Sequence, residues 1–198
     1  MTYSCAIFKS EDEDLKDAQL RKITRLIRKV IRQRMLEHFG HDYIGEFFTC
    51  CDTALAEDGL LVVQFISIPD EMYDEYRQIS DFIKGYIFPG GCLPALSRVT
   101  SAMSAASRQC VEHLEEIGIH YYQTLKCWRK NFMKNKSQIR ALGFDDKFIR
   151  TWEYYFDYCT AGFKTCTIGD YQIVFSRPGN VAVFGDAYNY TPLAYYKV

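Results

Sequence analysis

Leu60–Ile68 reads LLVVQFISI and is closed by Pro69. The run is apolar on both faces of a pleat, interrupted only by Gln64 and Ser67. It is too short to span a bilayer. It fits a strand covered on both sides, as in the parallel sheets of α/β proteins. Asp58-Gly59 supplies the turn into it. Val111–Leu114 and Tyr171–Phe175 (YQIVF, followed by Arg177-Pro178) read as two further strands. Helical spacing accounts for the intervals. Leu15, Ala18, Ile23, Leu26, Ile27 and Val30 predict an amphipathic helix over Asp12–Val30. His41–Ala56 follows as a helix with Phe47, Phe48 and Leu55 inward. Beyond the first strand come a short helix over Glu71–Ile83, a loop at Phe88–Pro94, and helices over Ser97–Arg108, Tyr122–Ala141 and Asp145–Thr160. Leu142-Gly143 stops the second of those three helices. The sum is an α/β domain over residues 1–178 with about three strands, then an irregular tail over 179–198.

Composition narrows the function classes. The 198 residues suit one ordinary domain and carry a net charge of −1, which gives no electrostatic reason to expect nucleic acid. The eight cysteines are dispersed, lack any C-x-x-C pair and follow a polar, acidic N-terminus without a secretory signal. Reduced thiols in an intracellular, cytoplasmic protein are therefore expected. The polar side of the Asp12–Val30 helix, continued past its end, carries Lys16, Arg21, Lys22, Arg25, Arg28, Lys29, Arg32 and Arg34. It reads either as a solvated face or as a headgroup patch of a peripheral membrane protein. Glu37, His38 and His41 have metal-ligand chemistry, but Glu37 and His41 supply only two ligands on one helical face, so no metal is expected.

Several stretches, in order along most of residues 1–178, resemble the cyclopropane-fatty-acyl-phospholipid synthases and their mycolic-acid relatives, especially the plant-like members. They are Met1–Phe8 (MTYSCAIF), Leu36–Phe48 (LEHFGHDYIGEFF), Leu60–Pro69, Phe82–Pro94 (FIKGYIFPGGCLP), Gly118–Phe132 (GIHYYQTLKCWRKNF), Trp152–Phe163 (WEYYFDYCTAGF) and Tyr171–Pro178. The resemblance implies a doubly wound, class I methyltransferase fold. It also implies transfer of a methyl(ene) group from S-adenosylmethionine to the double bond of an unsaturated phospholipid acyl chain at a membrane surface. In such enzymes the cation formed on the acyl chain loses a proton to bound bicarbonate, closing the ring. A cation of that kind calls for aromatic density around it, and this chain has 15 Tyr and 14 Phe. By motif, the bicarbonate group maps to Cys5, Glu37, the backbone of Ile66 and Tyr121, with Gln64 where bacterial members carry histidine. Tyr3 and Ser4 map to positions that touch the cofactor. Without the motifs, Cys5 reads as packing rather than chemistry, and Tyr121 and Tyr122 at a helix start read as core or rim residues.

One element of the pattern is missing. Doubly wound methyltransferases approach their cofactor through a glycine-rich turn after the first strand. No G-x-G occurs in this chain, and Val30 runs through Ile-Arg-Gln-Arg directly into Met35-Leu36-Glu37. The first strands of the sheet and the cofactor turn are thus expected to be absent. Leu60–Ile68 would then be left with an open edge able to pair with another chain, and S-adenosylmethionine would bind weakly or not at all. By the same mapping Met1 falls in mid-chain. Two functions stay open: a cyclopropane synthase-like enzyme, and a non-catalytic remnant acting as an interaction or lipid-binding module.

Overall fold

The computed structural model describes residues 8–10, 12–18, 30–33 and 36–180. Four strands form one mixed sheet in the order β1-β2-β4-β3, with β1 Val30–Gln33, β2 Leu60–Ser67, β3 Cys110–Glu116 and β4 Gly169–Ser176. β1 runs parallel to β2, pairing Val30 with Leu60 and Gln33 with Val63. The last strand, β4, inserts antiparallel between β2 and β3, placing Ile173 opposite Val63 and Asp170 opposite Ile66.

The three expected strands are all present, and β1 adds a fourth. This corrects two expectations. The predicted Asp12–Val30 helix is helical within 15–18, but Val30 opens a strand, and residues 19–29 lie outside the described residues. Leu60–Ile68 is not an open edge along its length, because β2 has a strand on each side over Leu61–Val63. The β-branched Val30-Ile31 pair suits a strand as well as a helix, and periodicity alone does not separate the two in so short a stretch.

The helices are α1 Leu36–Phe39, α2 Ile44–Ala54, α3 Tyr73–Tyr76, α4 Leu96–Ala106, α5 Gly118–Lys134, α6 Lys136–Ala141 and α7 Asp146–Lys164. The stretch expected as one helix over Tyr122–Ala141 is two, broken at Asn135, which leaves helical geometry at φ −101°, ψ 17°. A single π turn, Ile83–Ile87, precedes the Phe88–Pro94 loop. Of the tail, only Gly179 and Asn180 are described.

The chain divides into two compact units, residues 26–116 with 169–198, and residues 1–25 with 117–168. In the first, Leu61, Val63 and Phe65 of β2 and Ile173 and Phe175 of β4 point to the same side of the sheet. They pack on Ile44, Phe47 and Phe48 of α2 and Val99 and Met103 of α4. Phe175 meets Phe48 edge-on, with centroids 5.5 Å apart. This alternation in β2 sends Gln64 and Ile66 to the opposite face. The second unit is built on α5 and α7. Tyr121 stacks on Phe163 at 4.7 Å, and Phe8 N–H donates to His120 Nδ1 at 3.2 Å.

Candidate active site at the end of the second strand

Among the described residues β1 pairs with β2 as far as Val63, and the far half of β2 has no strand partner on that side. The backbone N–H of Ile66 faces this gap, and α1 fills it. Glu37, in the first turn of α1, accepts a hydrogen bond on Oε1 from Ile66 N–H at 2.6 Å. Burial pushes the Glu37 carboxyl up to about 6 from an ordinary 4.5, opposed by its backbone hydrogen bonds. The Phe88–Pro94 loop closes over α1, where Cys92 N–H donates to the Glu37 carbonyl at 2.8 Å. Two glycines permit that approach. Gly90 has φ +82°, and a Cβ on Gly91 would sit 3.1 Å from the Phe88 carbonyl oxygen.

Polar groups continue around this corner. His41 Nδ1 lies 2.8 Å from the Tyr73 hydroxyl, and Arg98 Nη2 donates to the His41 carbonyl at 3.2 Å. Burial raises the Tyr73 phenol. On the opposite face of the sheet, Gln64 Nε2 donates to Asp170 Oδ2 at 2.6 Å, both side chains being buried. Asp170 N–H in turn donates to Glu116 Oε1 at 3.1 Å.

Of the residues mapped from the sequence, Glu37 and Ile66 are thus in direct contact, and Gln64 lies next to them along β2 but turns to Asp170. Tyr121 belongs to the other compact unit, buried on α5 against Phe163 and Trp128. Cys5, Tyr3 and Ser4 lie outside the described residues. Asp170 and Tyr73 were missed from sequence. Asp170 starts an apolar strand where an acid needs a buried partner, and that is the signal by which it is legible.

Two donors that the family resemblance gives to bicarbonate are therefore engaged inside the protein, Ile66 N–H by Glu37 and the Gln64 amide by Asp170. The described residues do not offer the S-adenosylmethionine turn, because the glycines with positive φ, at positions 40, 90, 143 and 179, are isolated from one another. Among the described residues no group of three or more His, Cys, Asp or Glu side chains is placed to hold a metal ion. All seven described cysteines are free thiols.

Sheet order and helices define an α/β fold of the class I methyltransferase type. It matches the cyclopropane synthase MmaA2 of Mycobacterium tuberculosis at TM-score 0.77 and 20% identity, covering 89% of this chain and 90% of that one. The mycolic acid cyclopropane synthase CmaA1 complexed with SAH and CTAB matches at TM-score 0.77 and 21% identity, with the same coverage. Residues 28–173 match the mycolic acid cyclopropane synthetase family, and the chain belongs to that family. Its curated relatives are lipid methyltransferases. The tuberculostearic acid methyltransferase UfaA1 of Mycobacterium tuberculosis is 29% identical over 76% of this chain and 35% of its own length. The cyclopropane-fatty-acyl-phospholipid synthase of Escherichia coli is 28% identical over 75% of this chain and 37% of its own. Sphingolipid C9-methyltransferase 1 of Gibberella zeae is 31% identical over 80% of this chain and 29% of its own. The chain thus spans just over a third of the length of the first two relatives.

Proposed function

We propose that this chain is a cyclopropane-fatty-acyl-phospholipid synthase-like protein carrying the lipid side of the reaction. Enzymes of this kind move a methyl(ene) group from S-adenosylmethionine to the double bond of an unsaturated phospholipid acyl chain. The observation that carries the reading is Glu37. Its carboxyl is fixed at the end of β2 by Ile66 N–H and shifted to about 6, which suits a group that takes a proton near neutral pH. Where a methyl group has been delivered to the acyl double bond, Glu37 is the carboxyl on this chain suited to take the proton lost from that methyl as its C–H electrons close the ring. The Phe88–Pro94 loop holds Glu37 in place. Without a G-x-G turn, the chain alone engages acyl chains and does not complete the transfer.

A second reading, in which this chain transfers the group by itself, is favoured by the same proton acceptor. The two separate in one experiment. The purified chain is incubated with S-adenosylmethionine and vesicles of a cis-unsaturated phosphatidylglycerol, and the lipid is analysed by mass spectrometry. Vesicle binding without a gain of mass supports the first reading. A gain of one methylene unit per acyl chain supports the second.

A further inference from the structure

The turn between α6 and α7 exposes two large apolar side chains, Leu142 at 77% and Phe144 at 45%. Turns normally carry polar residues, and Leu142 in particular is not required by this backbone. Gly143, at φ +95°, ends α6. Its N–H donates to the Arg140 carbonyl at 2.9 Å, and Phe144 N–H to the Ile139 carbonyl at 3.4 Å, which is a Schellman closure. Asp145 then caps α7 through Phe148 N–H at 2.7 Å. Both helix ends are satisfied by the backbone, Gly143 and Asp145, so Leu142 is left without a structural task.

Behind the turn the apolar surface is continuous. Phe144 stacks on Phe148 at 4.3 Å, and Phe148 leads to Trp152 at 6.1 Å. Around it cations outnumber acids, with Arg129 paired to Glu153 and Asp157, Lys136 to Glu153 and Arg140 to Asp146. Residues 126–150 contain eight Lys and Arg against two Asp, in a chain whose net charge is −1. Lys130, Lys134, Arg140, Lys147 and Arg150 are exposed. Arg140 is hydrogen-bonded to Asp146 and lowers its carboxyl, with smaller contributions from Arg150 and Lys136. That leaves Lys130, Lys134, Lys147 and Arg150 as the exposed cations of the collar. An apolar tip in a cationic collar is complementary to an anionic bilayer, with side chains entering the acyl boundary and lysines meeting headgroups.

We propose that the α6–α7 turn, led by Leu142 and Phe144, docks this chain onto anionic phospholipid membranes. This rests on the lipid reading above and adds a surface that no acyl-chain site requires. The test is co-sedimentation of the full chain with phosphatidylcholine vesicles, with and without phosphatidylglycerol. Leu142→Ser/Phe144→Ser and Lys147→Glu/Arg150→Glu variants are run in parallel, with folding checked by circular dichroism. Binding is expected only with phosphatidylglycerol, weakened on the order of tenfold by either variant pair. Equal binding to both vesicles, unchanged binding by folded variants, or self-association through the turn without lipid overturns the proposal. A monomeric short-chain phospholipid titrated into the same variants separates the two claims. Retained short-chain binding leaves the lipid reading standing whatever becomes of the turn.

Discussion

Ile66 and Glu37 are bonded head-on, backbone N–H to carboxylate at 2.6 Å, in the part of β2 that lies beyond its pairing with β1 and is held on the other side by β4. The contact solves a backbone problem and a chemical one together. It satisfies an amide that the sheet leaves without a ladder partner, and it fixes a partly desolvated carboxyl at the strand end.

That carboxyl should make stability fall with rising pH. Its folded pKa, about 6, lies above the ordinary 4.5. The protonated form is favoured by folding, so the contribution is intact below about 4.5 and is lost as pH rises through about 6. The loss is about 2 kcal/mol. Urea titrations of the parent and Glu37→Gln from acid to neutral pH should diverge in this window, Gln keeping the acceptor for Ile66. Parallel curves would remove Glu37 as the perturbed group.

Gln64 donates to Asp170, both side chains being buried. Replacing it with Leu takes a donor from a buried carboxylate and should cost about 1–3 kcal/mol in chemical denaturation. Gln64→Glu, which sets two carboxyls against each other, should cost more and recover on acidification.

Arg177 closes the end of α2. Its guanidinium donates to the Ala56 carbonyl at 2.6 Å, to the Asp52 carbonyl, and to Asp52 Oδ1 at 3.2 Å. Lysine cannot reproduce that fork, so Arg177→Lys should lose about 2 kcal/mol, nearly as much as Arg177→Met. A lysine variant of parental stability would show that charge alone suffices.

Phe175 is fully buried beneath Phe48. Phe175→Ala should destabilise by about 3–5 kcal/mol through the cavity it leaves. A loss below that range would mean that α2 closes onto the sheet.

Much of this architecture is legible in the sequence because β2, β4 and the amphipathic helices carry their periodicity openly. LLVVQFISI announces a buried strand, and the inward Phe47 and Phe48 announce the helix over it. What escaped notice depends on partners distant in sequence. Val30–Gln33 becomes a strand only because Leu60–Val63 lies beside it. Asn135 interrupts a continuous helical pattern with one residue outside helical geometry. At the site, Glu37 and Ile66 were legible through motif resemblance. The engagement of Gln64 by Asp170 was not, because 106 residues separate them.

The lipid side without the cofactor side is the central claim, and paired calorimetric titrations of the full chain test it most directly. S-adenosylmethionine is injected in one and a monomeric short-chain unsaturated phospholipid in the other. The account predicts saturable heat with the phospholipid and none with S-adenosylmethionine in the micromolar range. Micromolar binding of S-adenosylmethionine, or no binding of the phospholipid, would contradict it.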